Sequence, residues 1–228
     1  MRTAIPFLSL LLLPLTGCVS YAVGTTAETL GEGERTFSSI MEVTPAPDPD
    51  AEGQGCPYGP DDPSCYDYGT TGGLARPMLS SEVRFGLSEN ADAGLRVIGY
   101  SGLVASYKHR LTPDSAAVSM AFMGGAGVLN GGNHAELEAT FIISRAGESV
   151  SPYGGLRAMQ AIALSPSVPH DRPTLGAFAG LRLGSALLGM SPEVGVFHDP
   201  SAMKLRRRTL VVVPSITLHG RGLLARMF

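Results

Sequence analysis

Polar and apolar residues alternate along most of this chain. From Glu34 to Val43 one side of the run carries Phe37, Met41 and Val43, and the other carries Glu34, Thr36, Ser38 and Glu42. Further short alternating runs follow from Met78 onward, with turn residues between them. A two-residue period is that of a β-strand, and no stretch sustains the 3.6-residue apolar period of an amphipathic helix. The pattern predicts ten strands and is also compatible with eight or nine. The predicted strands are 34–43, 78–87, 91–99, 103–111, 116–128, 134–144, 151–163, 173–183, 190–198 and 207–219.

Most charged residues of these strands fall on one face and most of the apolar residues on the other. The charged residues on the apolar face are Arg35 and Arg208, near strand ends. Such segregation on every strand is what a sheet with a single apolar environment requires. It predicts an all-β fold, an antiparallel up-and-down sheet closed into a barrel. The charged face carries Glu34, Glu42, Glu82, Arg84, Asp92, Arg96, Lys108, Arg110, Glu136, Glu138, Arg157, Arg182, Glu193 and Arg207. The apolar face carries Val83, Phe85, Leu95, Val97, Leu103, Tyr107, Val118, Phe122, Leu137, Phe141, Ile143, Leu156, Leu181, Val194, Val196, Leu210, Val212 and Ile216.

The side on which the charges lie distinguishes two kinds of barrel. In a soluble barrel the apolar face fills the core, whereas in a membrane barrel it faces lipid and the charged face lines the interior. Two features favour the membrane barrel: acids and bases are equal in number, so they can pair, and glycines on the charged face leave room for long side chains. These glycines are Gly86, Gly94, Gly155, Gly180 and Gly195. The predicted interior charge network is Glu82, Arg84, Asp92, Arg96, Lys108, Arg110, Glu136, Glu138, Arg157, Arg182 and Glu193.

The predicted connections differ in length at the two ends of the barrel. The three longest, 44–77, 164–172 and 199–206, all follow odd-numbered strands and therefore share one end. Small membrane barrels place long loops outside the cell and short turns in the periplasm. An even number of strands then returns both ends of the barrel domain, 34–228, to the periplasmic side.

The first eighteen residues form a separate unit. Arg2 precedes a short apolar run, Pro6 to Leu15, which is too short to span a bilayer as a stable helix and is typical of a signal peptide. The run ends in Leu15-Thr16-Gly17-Cys18, which resembles the lipobox of bacterial lipoproteins. The resemblance implies that residues 1–17 are removed and that Cys18 is acylated. Because an even number of strands returns the N-terminal end of the barrel to the periplasmic side, we expect the lipid near the inner leaflet. The alternative is a chance cysteine behind a conventional cleavage site. Residues 18–33 are small and polar, and we expect them to form a lipidated flexible tether.

Two further cysteines lie in the predicted loop 44–77. Cys56 and Cys65 enclose the turn-forming run Cys-Pro-Tyr-Gly-Pro-Asp-Asp-Pro-Ser-Cys, in a chain that is predicted to enter an oxidising compartment. Two thiolates alone make a poor zinc site, because structural zinc has four ligands. We therefore expect a disulfide between Cys56 and Cys65.

The run from Glu82 to Val97 carries a second resemblance. It consists of an apolar strand ending in Gly-Leu-Ser, a polar turn, and a strand that contains Asp-Ala-Gly-Leu-Arg. Together with the lipobox-like ending, it is similar to small bacterial outer-membrane β-barrels of the lipoprotein kind. The resemblance implies an outer-membrane location, with the lipoprotein and barrel assembly machinery as partners, and it specifies a shape rather than an activity. The chain departs from the family pattern in having no tryptophan and few aromatic residues for interfacial girdles.

The sequence contains no motif that indicates catalysis, a metal or a cofactor. His134, Glu136 and Glu138 share one strand face, but alternation alone produces that arrangement and basic residues are available to pair with the acids. The net charge of −3 provides no strong field for nucleic acid. We therefore expect a non-enzymatic envelope barrel with a structural or surface role and a plugged, charged interior. Two alternatives stay open: a soluble lipocalin-like ligand-binding barrel on a lipid tether, and a barrel enzyme that acts on membrane lipids.

Overall fold

Ten antiparallel strands form a closed β-barrel in the computed structural model of the chain. The structure describes residues 19–44, 76–99, 101–147, 149–164, 172–185, 187–200 and 210–221. The strands are β1 (Arg35–Thr44), β2 (Arg76–Ser88), β3 (Ala91–Ile98), β4 (Gly102–Arg110), β5 (Ser119–Leu129), β6 (His134–Ser144), β7 (Val150–Ala163), β8 (Thr174–Gly184), β9 (Gly189–His198) and β10 (Leu210–Gly220). Each strand pairs with its neighbours in sequence, and β1 also pairs with β10. The predicted up-and-down barrel of ten strands is therefore confirmed.

The strand boundaries follow the alternating pattern closely. The largest shifts are of three residues, at the starts of β5 and β10. The alternation predicted a start for β5 at residue 116, but the Ala116 amide donates to the Pro113 carbonyl and so belongs to the preceding turn. Within the described residues, the structure contains a 3₁₀ turn, Asn130–Gly132, but no helix long and apolar enough to cross a membrane.

The two faces of the sheet have the orientation expected of a membrane barrel. Along β4, Leu103 and Tyr107 are 44 % and 49 % exposed, whereas Lys108 is only 2 % exposed. The same alternation along the other strands leaves an apolar outer surface, with Leu156 and Leu210 more than 60 % exposed. The barrel thus has its charged face inside and its apolar face outside.

The barrel has two distinct ends, which we call the turn end and the long-loop end. The turn end holds the start of β1, the end of β10 and the connections 89–90, 111–118, 145–149 and 185–188. The long-loop end holds the connections 45–75, 99–101, 130–133, 164–173 and 199–209. The three longest connections share one end, as the sequence predicted.

Candidate functional site

The candidate site is the barrel interior, where most of the predicted charge network lies. Nine of the eleven predicted network residues are buried, none more than 6 % exposed. They come from six strands, because each strand sends alternate side chains inward. The nine are Glu82, Arg84, Asp92, Arg96, Lys108, Glu136, Glu138, Arg157 and Glu193.

One group of paired charges lies where β2, β3 and β4 meet. Arg84 contacts the Glu82 carboxylate at 2.7 Å through Nη1 and donates to Asp92 through Nε at 2.8 Å, with a second, very short contact from Nη2 to Asp92. Lys108 Nζ lies 3.3 Å from the other oxygen of Asp92. Two bases and two acids therefore compensate one another in this part of the interior.

A second group lies across the lumen on β3, β6 and β7. Glu138 accepts from Arg96 Nη2 at 2.8 and 2.9 Å and from Arg157 Nη2 at 2.5 Å. Glu136, two residues along β6, is also buried, and neither of its carboxylate oxygens has a hydrogen-bond partner within the described structure. A single carboxylate thus joins two guanidinium groups from strands on either side of it.

The remaining acids bind backbone amides rather than bases. The Glu42 Oε2 atom accepts from the amides of Tyr21 and Ala22 at 2.9 and 2.8 Å. The Glu193 carboxylate accepts from the amides of Val23 and Gly24 at 2.8 and 2.9 Å. Among the described residues, neither acid forms a salt bridge, so peptide N–H groups supply the hydrogen bonds that a base would otherwise provide.

The bases reach the carbonyl groups of the same segment. Arg96 and Arg157 both donate to the Ala22 carbonyl, at 3.1 and 2.9 Å, and Arg157 also donates to the Ser20 carbonyl at 3.2 Å. Lys108 Nζ donates to the carbonyls of residues 26 and 28, at 3.1 and 2.6 Å. The charged lining therefore satisfies the donors and acceptors of a peptide that lies inside the barrel.

That peptide consists of residues 19–33, which we call the luminal segment. Its contacts run from one end of the barrel to the other: the Tyr21 hydroxyl donates to Asp199, just after β9 at the long-loop end, at 2.6 Å. The Ala27 amide donates to Ser144 Oγ, on the last residue of β6, at 3.1 Å, and Thr29 Oγ1 donates to the Glu89 carbonyl in the β2–β3 turn at 2.7 Å. The segment therefore crosses the lumen before β1 begins.

This placement corrects the expectation of a flexible tether over residues 18–33. Ser20, Ala22, Val23 and Ala27 are each at most 2 % exposed. Small, polar composition predicts flexibility in water, but here the backbone is held by buried charges on several strands. The stretch leading into β1 is inside the barrel and not beside it.

Apolar layers pack around the luminal segment at two levels. Near the long-loop end, Tyr21 packs with Met159, Phe197, Val211 and Val213, and its ring centroid lies 5.1 Å from that of Phe197. Nearer the turn end, Val23 and Ala27 pack with Ala121, Met123, Ile142, Tyr153 and Phe178. These layers bury the segment's own side chains and exclude water from its hydrogen bonds.

Glycine makes room for these contacts at defined points. A Cβ atom added at Gly94 would lie 2.7 Å from Arg84 Nη1 and 2.8 Å from Glu82 Oε1, so the predicted role of this glycine beside long charged side chains agrees with the geometry. At Gly86, an added Cβ would lie 1.9 Å from the Gly31 carbonyl oxygen. The luminal segment leaves the lumen directly over the Gly86 backbone, where a side chain would block it.

The other two members of the predicted network lie towards the turn end. Arg110 sits at the end of β4, where it donates to the Glu89 carbonyl and Asn90 Oδ1 and pairs with Asp114. It was predicted to belong to the interior network, and the β-strand period alone could not distinguish the end of a strand from its middle. Arg182 is partly buried and lines a cavity on the turn-end side of the lumen together with Glu82, Arg84, Asp92 and Lys108, so it adjoins the first charge group.

Other predicted positions give no metal site or fall outside the described residues. His134 Nδ1 lies 3.3 Å from Asn130 Nδ2, while Glu138 is engaged by two arginines. In the part of the chain that the structure describes, no three His, Cys, Asp or Glu side chains are placed to hold a metal ion. Cys18, Cys56, Cys65 and Arg207 lie outside the described residues.

Sequence reasoning missed the luminal segment and the acids that bind it. Glu42 shared the charged face with the others but was not assigned to the network, and Tyr153 donates to Glu193 at 2.9 Å. Nothing in the sequence singled out these two acids, because acids and bases are equal in number on the charged face. An unpaired buried carboxylate needs another donor, and a backbone amide is the commonest one in a protein.

Comparison with known proteins gives the following result. No family model matches the chain, and no curated protein matches it. Among solved structures, Neisserial surface protein A matches with 10 % identity, 82 % of this chain, 96 % of that one and a TM-score of 0.36. The attachment invasion locus protein Ail of Yersinia pestis, solved with the heparin analogue sucrose octasulfate, matches with 15 % identity, the same coverages and a TM-score of 0.29. The translocator domain of the autotransporter NalP from Neisseria meningitidis matches with 12 % identity, 84 % of this chain, 89 % of that one and a TM-score of 0.37. The assignment of this chain to a closed ten-stranded barrel therefore rests on the pairing of its own strands and not on these comparisons.

We predict that removing either arginine of the second charge group destabilises the barrel. Arg96→Ala and Arg157→Ala should each lower the free energy of unfolding by about 3–5 kcal/mol, because Glu138 and the Ala22 carbonyl each lose a donor in a buried site. Arg35→Ala, on the outer face of β1, is the control and should change it by at most about 1 kcal/mol. Denaturant unfolding in detergent micelles measures all three. Equal, near-zero effects would contradict the inward placement of these charges.

A second prediction compares two glycines of the luminal segment that both have a positive φ. Gly24 and Gly33 have φ angles of 62° and 74°, so an alanine at either position incurs about 1–2 kcal/mol of backbone strain. An added Cβ at Gly24 would lie 2.3 Å from Thr217 Oγ1, whereas at Gly33 nothing lies within 4 Å. Gly24→Ala should therefore lower the unfolding midpoint clearly more than Gly33→Ala. Indistinguishable midpoints would mean that the segment is not packed against β10.

Proposed function

We propose that the protein is an outer-membrane β-barrel of the bacterial envelope with a non-enzymatic structural or surface role. The observation that carries the proposal is the inversion of the two faces: Arg96 and Glu136 are nearly inaccessible inside a closed barrel, while leucines and valines form its outer surface. A barrel in water would expose its charges and bury its leucines. A barrel in lipid requires the opposite, and closure leaves no unpaired strand edge in the hydrocarbon.

The arrangement of the interior favours this role over the two alternatives. A soluble lipocalin-like barrel would use an apolar interior to hold its ligand, whereas this interior is charged and holds the luminal segment. A lipid-modifying enzyme would need a nucleophile and a base facing the lipid, and the outward-facing residues that the structure describes are predominantly apolar. A structural or surface role agrees best with a barrel whose lumen is already occupied.

The occupied lumen also argues against a diffusion channel. Eight strands leave an interior that side chains fill, and ten strands leave somewhat more space, which here is taken by one extended peptide. Because both charge groups bind this peptide, a solute would have to displace it to pass. The luminal segment is therefore proposed to plug the barrel, with the long loops at the cell surface and the turn end in the periplasm.

We predict that the purified protein conducts no ions in planar bilayers. A variant lacking residues 20–30 loses the peptide that fills the lumen, and, when folded, it should open steady, voltage-independent currents. Altered mobility of the unheated barrel on detergent gels shows whether each sample is folded. A folded wild-type protein that conducts as well as the deletion variant would contradict the plugged interior, as would a folded deletion variant that stays closed.

The lipid anchor and the disulfide are part of the same proposal. The Leu15-Thr16-Gly17-Cys18 ending supports acylation of Cys18, which would bring the chain to the lipoprotein machinery as well as the barrel assembly machinery. Stable anchoring takes more than one acyl chain. The turn-forming run between Cys56 and Cys65 supports a disulfide, worth roughly 2–3 kcal/mol in the chain-entropy model if the loop is constrained.

Intact-mass analysis of the membrane-extracted protein tests both covalent predictions. We expect a chain that begins at Cys18 and carries an acyl addition, with the two remaining thiols unreactive toward alkylation until a reductant is added. The variant Cys18→Ala provides the control and should lack the addition. A wild-type mass without acyl groups would contradict the predicted lipid anchor. Alkylation of Cys56 and Cys65 without reduction would contradict the predicted disulfide.

A further inference from the structure

The N-terminal end of the luminal segment lies at the long-loop end of the barrel. Val19 packs against a cluster that includes Met78, near the start of β2, Ile98, the last residue of β3, and Leu129, the last residue of β5. All three are strand positions at the long-loop end. The segment therefore begins there and reaches β1 only after it has crossed the whole lumen.

The opposite end of the segment is fixed just as clearly. The Gly33 amide donates to the Gly86 carbonyl at 3.0 Å, and the Gly86 amide donates to the Glu34 carbonyl at 2.9 Å, close to the end of β2 at the turn end. The chain then reverses and enters β1. Residue 19 and residue 33 thus lie at opposite ends of the barrel, although the start of β1 alone would place the N-terminal side at the turn end.

We propose that the luminal segment delivers the mature N-terminus to the long-loop face, so that its acyl chains enter the outer leaflet of the outer membrane and not the inner one. The inference rests on the proposed barrel orientation and on the proposed acylation of Cys18. It replaces the sequence-based expectation of an anchor near the inner leaflet, which treated the residues before β1 as a tether outside the barrel.

The geometry leaves the acyl chains little choice. A tilted strand of ten residues spans about 25 Å along the barrel axis, whereas Cys18 is a single residue, about 3.8 Å, from Val19. A return path to the turn end through the lumen is closed, because the segment itself occupies it and both charge groups bind its carbonyls. The lipid bound at Cys18 consequently meets the hydrocarbon beside the long loops.

Protease accessibility on intact cells tests this arrangement. A factor Xa site with short Gly-Ser flanks is inserted between Cys18 and Val19, and two control chains carry the same site in the 130–133 connection or the 145–149 connection. The controls mark the long-loop end and the turn end. We expect external protease to cut the N-terminal site and the 130–133 site, and to cut the 145–149 site only after the outer membrane has been permeabilised.

The outcomes distinguish failure of the inference from failure of the proposed barrel orientation or of the proposed acylation of Cys18. If both controls behave as expected and the N-terminal site is protected in intact cells, or is not cut at all, the inference fails and the barrel proposal stands. If the 145–149 control is cut from outside, the proposed barrel orientation is wrong, and the outer-leaflet anchor that depends on it is overturned as well. Growth with an alkyne fatty acid reports on the lipid separately. Surface cleavage that removes the label from the barrel, while the labelled peptide stays in the membrane, supports the complete inference. Surface cleavage of a barrel that carried no label places the N-terminus at the surface but overturns the outer-leaflet anchor, since acylation itself has then failed.

A spectroscopic measurement tests the same inference without an inserted protease site, in case an insertion prevents folding. Unacylated mature chain with Cys56→Ser and Cys65→Ser is refolded in detergent with nitroxides on Cys18 and on either Ser101→Cys, at the long-loop end, or Ala146→Cys, at the turn end. The distance from residue 18 to position 146 should exceed that to position 101 by an amount comparable to the barrel height, about 25 Å. The reverse order of distances would overturn the inference.

Discussion

Charged side chains inside a barrel that faces lipid must be compensated from within the barrel. In this protein the compensation is incomplete as long as only the strands are counted: Glu138 serves two arginines and Asp92 serves both Arg84 and Lys108, yet Glu42 and Glu193 have no salt bridge among the described residues. Removing water from an unpaired carboxylate is strongly unfavourable. The backbone amides of the luminal segment meet that requirement for Glu42 and Glu193, and bases of the lining in turn bind the carbonyls of the same segment.

The use of a peptide backbone as the hydrogen-bond partner of the charged lining affects the amino-acid composition of the luminal segment. A backbone offers donors and acceptors at every residue irrespective of side chain, so the segment needs small residues that fit the lumen more than it needs particular functional groups. This explains why Ala, Gly and Thr make up most of the residues between Tyr21 and Gly33, and why glycines lie on the strands that the segment passes. The luminal segment also accounts for the space that ten strands enclose. Side chains alone fill the interior of an eight-stranded barrel, whereas ten strands admit one additional extended chain.

The parts of this structure that follow a period could be predicted, and the parts that follow hydrogen-bonding requirements could not. Alternation located all ten strands, and the imbalance of glycine and charge between the faces indicated which face points inward. Neither signal could place Arg110, whose partners are in the β2–β3 turn and at Asp114. Alternation assigns a residue to a face of the sheet but does not give its position along the barrel axis. The luminal segment has no period of its own, and its composition resembles that of a flexible linker. Acids and bases on the charged face are equal in number, so nothing in the sequence indicated that Glu42 and Glu193 would bind a peptide instead of a base.

The segment and the charged lining depend on each other, which constrains how the fold can form. In isolation the segment has no partner for its buried side chains or for its backbone groups. Its ordering therefore requires the apolar layers of the lumen and the charges of β1, β3, β4, β7 and β9. These strands are brought around a common lumen only as the sheet closes between β1 and β10. A chain end that already carried lipid would have to be drawn through a finished barrel against its packed layers of side chains, whereas it can be enclosed by strands that are still joining. Closure around the segment is therefore the physically simpler order of events, with β1, which directly follows the segment, among the last strands to be sealed.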